Sequence, residues 1–201
     1  MTRIIAGVAG GRRLAVPAGR STRPTSDRAR EGLFAAVLAM LGSLAGAAVA
    51  DLYAGSGAVG LEALSRGASD VLMVESDARA AQVIRQNIAA VGLPGARCVQ
   101  DRVDRVIGRG PGACPPRDLV FADPPYAVGE DELERILVTL AGQGWLAPEA
   151  LVILERAARS GPPRWPAGYA PGRSRRYGEA TLWYGRAAGD APAAAASTTG
   201  A

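Results

Sequence analysis

Asp123-Pro124-Pro125-Tyr126 closes an apolar run, Leu119-Val120-Phe121-Ala122, that has the composition of a buried strand. Two successive prolines donate no backbone N–H and hold φ near about −65°, so they end a strand as a rigid corner. Such a corner sets carbonyl acceptors beside a carboxylate and an aromatic ring. That set suits an exocyclic amine on a nucleobase, a poor nucleophile because its lone pair is delocalised into the ring. The Asp123 carboxylate and the Pro124 carbonyl can grip the two N–H bonds of the amine and favour a pyramidal nitrogen, with Asp123 taking its proton. Tyr126 offers a stacking face for a flipped base, typically worth about 1–3 kcal/mol. For a Pro-Pro pair alone, an ordinary turn is the plainer reading.

A second group of residues lies upstream. Gly55-Ser56-Gly57-Ala58-Val59-Gly60 is a G-x-G-x-x-G loop between a strand-like and a helix-like segment, and Glu75 follows Gly55 by twenty residues. This is the spacing of a dinucleotide site, and a purely structural glycine turn is the third reading. Asp51 separates them. Four residues before Gly55, its carboxylate would oppose a pyrophosphate but suits a ligand that presents an ammonium group. S-adenosylmethionine does so. The cofactor set is then Asp51, Tyr53, Ala54, Gly55, Ser56, Gly57 and Ser76, with Glu75 taking both ribose hydroxyls. Asp101 would accept from the adenine amine with the Arg102 N–H beside it, although Asp101 also reads as a helix N-cap.

The composition narrows what else the chain can do. It has 201 residues, 48% of them hydrophobic, and reads as one soluble domain with a small appendage. No histidine is present, so chemistry must run on carboxylates, hydroxyls, backbone groups or a cofactor, and no metal is expected. Cys98 and Cys114 fit no metal-ligand spacing, and no apolar run reaches membrane-spanning length; a cytoplasmic protein is expected. The net charge of +4 is unevenly laid out. Residues 1–30 hold seven arginines against Asp27, and residues 156–186 hold seven against Glu179, whereas residues 31–155 hold nine arginines and sixteen acids. The absence of lysine fits the codon bias of a GC-rich genome, but the segregation of charge does not follow from it. Two basic ends of arginine, the residue suited to bidentate phosphate contact, point to a nucleic-acid partner.

The elements needed to hold these residues follow from periodicity. Residues 3–16 read as a basic hairpin around Gly7–Gly11, and residues 27–41 as a helix opened by Thr25 or Ser26. Strands and helices then alternate from Ala47 to Glu155, which predicts a parallel sheet covered on both faces. The segment from Arg173 to Gly185 instead predicts an antiparallel hairpin turning at Gly178-Glu179. Residues 1–20 are expected to form an N-terminal extension, 21–186 the main domain and 187–201 a disordered tail.

Taken together, RIIAGVAGGRRLAVP, TRPTSDRAREGLF, DLYAGSGAVGLEALSRGA, VESD, DPPY and RRYGEATL resemble the RsmD family, in matching order from about Arg3 to Tyr184. These are bacterial methyltransferases that place one methyl on the N2 amine of a guanine in 16S ribosomal RNA. The resemblance implies a seven-stranded Rossmann-like S-adenosylmethionine-dependent fold with an N-terminal β-hairpin extension, and S-adenosyl-L-homocysteine as product. It implies a substrate guanine on the assembling small subunit, met by a monomeric enzyme. Carried over by position, Arg23, Thr25 and Arg28 lie in a segment closing over the methionine end of the cofactor, where helix capping and solvated charge are equally open. Family members commonly read R-V-R-E-x-L-F-N; here the stretch is Arg28-Ala29-Arg30-Glu31-Gly32-Leu33-Phe34-Ala35. Arg3, Arg12, Arg13 and Arg23, with Arg173, Arg175 and Arg176, are then candidates for RNA phosphates. Two rivals remain. One is a methyltransferase acting on adenine N6 in RNA or DNA, and the other is a catalytically silent RNA-binding assembly factor.

Overall fold

A computed structural model describes residues 2–17 and 27–189. Seven strands form one sheet: β3 (Ala48–Leu52), β4 (Asp70–Glu75), β5 (Ala96–Gln100), β6 (Arg117–Ala122), β7 (Leu146–Ala157), β8 (Tyr169–Tyr177) and β9 (Ala180–Ala187). Their order is β5-β4-β3-β6-β7-β9-β8, with β3 to β7 parallel and β8 and β9 antiparallel. The five parallel strands, the antiparallel pair and the turn at Gly178-Glu179 follow the expected pattern. β7 runs past its apolar stretch at both ends, where Leu146 pairs with Arg117 of β6 and Ala157 with Ala180 of β9, and β8 pairs with β9 through mostly polar sequence.

Helices α1 (Asp27–Leu41), α2 (Ala58–Ser65) and α3 (Ala78–Val91) cover one face, and α4 (Val103–Gly108) and α5 (Glu130–Gly142) the other. Local chemistry sets their ends. The Asp77 side chain accepts from the Ala80 N–H at 2.8 Å to cap α3, and Gly92 ends it in the left-handed region. Three acids, Glu130, Asp131 and Glu132, sit in the first turn of α5, where the helix dipole favours them. The alternating apolar residues of the strands divide between the two faces: Val49, Met73, Phe121 and Ile153 pack toward α1–α3, and Ala50, Leu72, Val120 and Val152 toward α4 and α5.

The N-terminal hairpin is short, β1 (Thr2–Arg3) pairing with β2 (Arg13–Leu14), and it is fastened to the body rather than set apart from it. Ile4 and Leu14 are buried in the main core. The fully buried Glu62 of α2 accepts from the backbone of Ile5 at 2.6 Å and Ala6 at 3.0 Å. It also pairs with Arg66 at 2.8 Å and lies 3.7 Å from the buried Arg30 of α1. Asn87 of α3 bonds both the N–H and the carbonyl of Ala15. A polar staple of this kind orders residues 2–15, which are too short and too glycine-rich to fold alone. Ala187, expected to open the tail, is instead the buried last residue of β9; residues 188–189 follow it, and the rest of the expected tail lies outside the described residues.

Candidate active site

The carboxyl ends of β3, β4, β6 and β7 open onto one cavity of about 1520 Å³. Ligands of open α/β sheets bind at this edge, where the strand order reverses. Here β3 and β6 lie side by side across the reversal point.

On the β3–β4 side the glycine loop is built from the backbone outward. Gly57 adopts φ 76° at the start of α2, and a Cβ there would sit 3.0 Å from the Met73 sulfur. A Cβ on Gly60 would come within 2.8 Å of Met73 Cγ, so its absence lets α2 lie close on the sheet. Gly57 therefore shapes the loop from behind, whereas Tyr53, Ala54, Gly55 and Ser56 line the cavity. Glu75, 2% exposed, holds the loop with one oxygen, accepting from the Gly55 N–H at 2.9 Å, and holds the start of α3 with the other, accepting from Asp77 at 2.8 Å. Each carboxylate oxygen can accept more than one hydrogen bond, so this arrangement is compatible with the expected ribose contact. Ser76 also lines the cavity, exposed.

Asp51 faces the same space from inside β3. It is buried and accepts from the Gly60 N–H at 2.9 Å. Burial pushes its carboxyl up to about 7; the Gly60 bond opposes this and the Glu75 charge adds to it. A buried acid in that condition favours a cationic partner and disfavours a phosphate. Tyr53 carries a positive φ of 65°, and burial, with the charges of Glu132 and Asp104, raises its phenol above the ordinary range.

The expected adenine pair separates. Arg102 lines the cavity, with its guanidinium on Asp104 at 3.0 Å. Asp101 is not among the lining residues: its carboxylate accepts from the Arg102 N–H at 2.8 Å and from Arg109 at 2.8 Å, with Arg105 at 3.8 Å. Nor does Asp101 cap α4, whose N-cap position is Arg102. Three arginine contacts account for its orientation.

On the β6 side, Asp51 lies opposite Phe121 and Leu52 opposite Ala122, so Asp123 emerges one residue past the paired strand. Asp123, Pro124, Pro125 and Tyr126 all line the cavity. The Pro125 carbonyl accepts from Val128 N–H at 2.9 Å, which closes the corner as a turn leading into α5. Tyr126 is 82% exposed, with the Arg159 guanidinium 5.7 Å from its ring centroid. An open aromatic face at the mouth of a cavity is what a stacking base requires.

Residues 2–186 match the family model described as Conserved hypothetical protein 95. The protein described as Ribosomal RNA small subunit methyltransferase D of Escherichia coli K12 is 37% identical over 177 residues, spanning 88% of this chain and 85% of that one. The chain belongs to the RsmD family. The relative of the same description in Haemophilus influenzae is 33% identical over 160 residues, 76% of this chain and 77% of that one. The solved structure titled as the putative methyltransferase yhhF of Escherichia coli superposes with a TM-score of 0.80 at 35% identity, covering 92% of this chain and 97% of that one. The fold is thus that of the S-adenosylmethionine-dependent methyltransferases.

The arginines of this RsmD family member divide by what they already touch. Arg12 donates to the carbonyls of Ala90 and Val91 at 2.7 and 2.9 Å and so caps the C-terminal end of α3, a task its place in a basic stretch did not suggest. Arg3 lies 3.9 Å from Asp27, and Arg13 is exposed. Arg28 is exposed beside the cavity. Arg173, Arg175 and Arg176 stand along the exposed strand β8. Arg173 lies over Tyr184 and Arg175 over Tyr177, while Arg176 donates to the Gly178 carbonyl at 2.9 Å. Arg23 and Thr25 lie outside the described residues.

Sequence reasoning passed over several charged residues of the cavity wall, among them Arg30, buried in α1, and Glu155, at the end of an apolar run. Glu155 is a charge directly after the apolar run Ala150–Leu154, the one signal that marked it, whereas Arg30 sits among other charges and carried none. Trp145 is buried in the core, its indole N–H donating to the Ile107 carbonyl at 2.8 Å. Among the described residues no group of His, Cys, Asp or Glu is arranged to hold a metal ion, and no helix is long and apolar enough to cross a membrane.

Proposed function

We infer that this protein methylates the exocyclic N2 amine of one guanine in 16S ribosomal RNA on the small ribosomal subunit, acting as a monomer in the cytoplasm. The observation that carries this is the side-by-side opening of the Asp51 loop and the Asp123–Tyr126 corner onto one cavity. When bound, S-adenosylmethionine supplies a methyl group activated by its sulfonium. The cavity suits it: the buried Asp51 faces a cationic amino-acid head, Glu75 is oriented for ribose hydroxyls, and Arg102 and Val103 border the far end. Arg28, with Thr25 beside it in sequence, would close over the methionine end.

Asp123 and the Pro124 carbonyl take the two N–H bonds of the guanine amine, which favours the pyramidal nitrogen needed for attack. Asp123 then accepts the proton that the nitrogen sheds. Tyr126 stacks on the extruded base. The corner keeps the amine in line with the donor, so most of the rate comes from positioning. Arg3, Arg13, Arg173, Arg175 and Arg176 meet the phosphates around the target loop. A cofactor-sized cavity lined by both the Asp51 loop and the amine-gripping corner favours this over a silent RNA-binding assembly factor, which needs neither. The test is to incubate the protein with labelled cofactor and unmethylated small subunits, naked 16S rRNA, tRNA or DNA, and to digest the products for mass spectrometry. N2-methylguanosine formed on subunits is expected; label confined to adenine, or no label anywhere, would overturn the reading.

A further inference from the structure

The strand registers that bring Asp51 and Asp123 to neighbouring strand ends bring another acid to the same rim. Asp51 pairs laterally with Met73 and Phe121, and Phe121 with Ile153; the last three bury on the α1–α3 face. Two residues further along their strands, Glu75 of β4 and Glu155 of β7 come to that same face, and just past the ends of β3 and β6 come Tyr53 and Asp123. All four line the cavity. Glu155 is one strand over from Asp123, a lateral spacing of roughly 4.8 Å. It is held inside the β7–β9 ladder, opposite Leu182, so its backbone is fixed where the Asp123 corner is a turn.

The order of strands decides what Glu155 can touch. Asp51 and Glu75 lie on one side of Asp123, and Glu155 lies on the other, away from the cofactor residues. A group there faces the acceptor base. Resting on the reading of that base as guanine, the chemistry next to the amine is specific. Guanine carries N1–H, a donor, beside its N2 amine. Adenine and cytosine instead carry an unprotonated ring nitrogen, an acceptor, beside theirs. A carboxylate only accepts.

We propose that Glu155 accepts the N1–H of the target guanine and thereby selects guanine over the other amine-bearing bases. With adenine or cytosine in the pocket, a ring-nitrogen lone pair would face the carboxylate with no proton between them. The Asp123-Pro124-Pro125-Tyr126 corner grips an amine of any base, so discrimination falls to the neighbouring strand. Sites built to hydrogen-bond a particular N–H reject analogues lacking it far more strongly than sites that read size alone.

The test uses small subunits reconstituted with 16S rRNA that carries either the natural acceptor guanine or, by splinted ligation, 2-aminopurine in its place. The analogue keeps the amine and loses the N1 proton. The wild-type protein should strongly prefer guanine. Glu155→Gln offers both an acceptor and an N–H donor, so it should lose about 10- to 100-fold on guanine, the value of a hydrogen bond to a charged group, and lose less on 2-aminopurine. The guanine-to-aminopurine ratio of kcat/KM should therefore fall by about tenfold or more. Glu155→Asp, with the acceptor withdrawn by one methylene, should keep the preference at a lower rate. Calorimetric affinity for S-adenosylmethionine should be unchanged in both variants, which also reports an intact fold. An unchanged ratio in Glu155→Gln would overturn the assignment. If the wild-type protein transfers no methyl to any guanine, the underlying reading fails, and the role of Glu155 with it.

Discussion

The two halves of the cavity are built by opposite means. The β3–β4 half is made of buried groups that are bonded to one another: Glu75 holds the glycine loop, Gly60 holds Asp51, and both acids are 2% exposed. The β6–β9 half presents a tyrosine 82% exposed and a row of exposed arginines on an edge strand. The first half is already shaped for a small molecule whose every group must be met. The second offers a stacking face and positive charge to a large polyanion that brings its own structure. Preorganisation belongs to the cofactor side, and electrostatic capture to the RNA side.

That contrast can be broken by substitution. The largest effect is expected at the junction. Asp123→Ala should lower transfer to subunits by about a thousandfold or more, the scale on which transition-state acceptors act, while calorimetric cofactor affinity stays near wild type. A parallel loss of cofactor binding would merge the two halves. Asp51→Asn should act on one side only, weakening cofactor binding by about 10- to 100-fold.

Asp51 also carries a pH signature. Its carboxyl is raised to about 7 in the unliganded protein and must be ionised to meet an ammonium. Cofactor affinity should therefore fall as pH drops below about 7, by up to about tenfold per unit. Asp51→Asn should flatten that dependence in calorimetry between pH 6 and 8. The sign for stability runs the other way. A folded value raised above 3.8 favours the unliganded fold fully below 3.8, and the advantage is lost as pH rises toward about 7. Cofactor should accordingly raise the melting temperature more at pH 8 than at pH 6.

Smaller effects belong to the RNA side. Tyr126→Ala should raise KM for subunits by about 5- to 100-fold, the worth of one stacked base, and leave cofactor affinity alone. Arg175→Ala and Arg176→Ala should each cost a few-fold at moderate salt. Each should also reduce the slope of log affinity against log salt by about one unit if it meets one phosphate. A salt slope left intact in the double variant would move the RNA track elsewhere, and the hairpin residue Arg13 would be the next candidate.

Much of this organisation was readable from residue order. The strand–helix alternation, the helix-ending Gly92, the turn at Gly178-Glu179 and the proline corner are local signals, each set by residues within a few positions of one another. Long-range partners were not readable. Asp101 sits where an adenine contact was expected, but the spacing of one helical turn and more gives it to Arg105 and Arg109. Arg12 looked like part of a basic patch until the end of α3, almost eighty residues later, turned out to be its acceptor. Glu155 becomes visible only through lateral register, a property of four strands together. The same holds for Glu62, whose position in an apolar helix says that it is buried but not which backbone it receives.

Glu62 and Asn87 have a bearing on how the chain is made. The hairpin is made before its partners: the acceptor for Ile5 lies 57 residues later and the one for Ala15 lies 72 residues later. During synthesis at about 5–20 residues per second the hairpin must wait for several seconds, exposed and unstructured, until α2 and α3 have emerged. Its glycine-rich, arginine-bearing composition keeps such a waiting segment from sticking to itself. A segment translated ahead of its partners thus settles only after them.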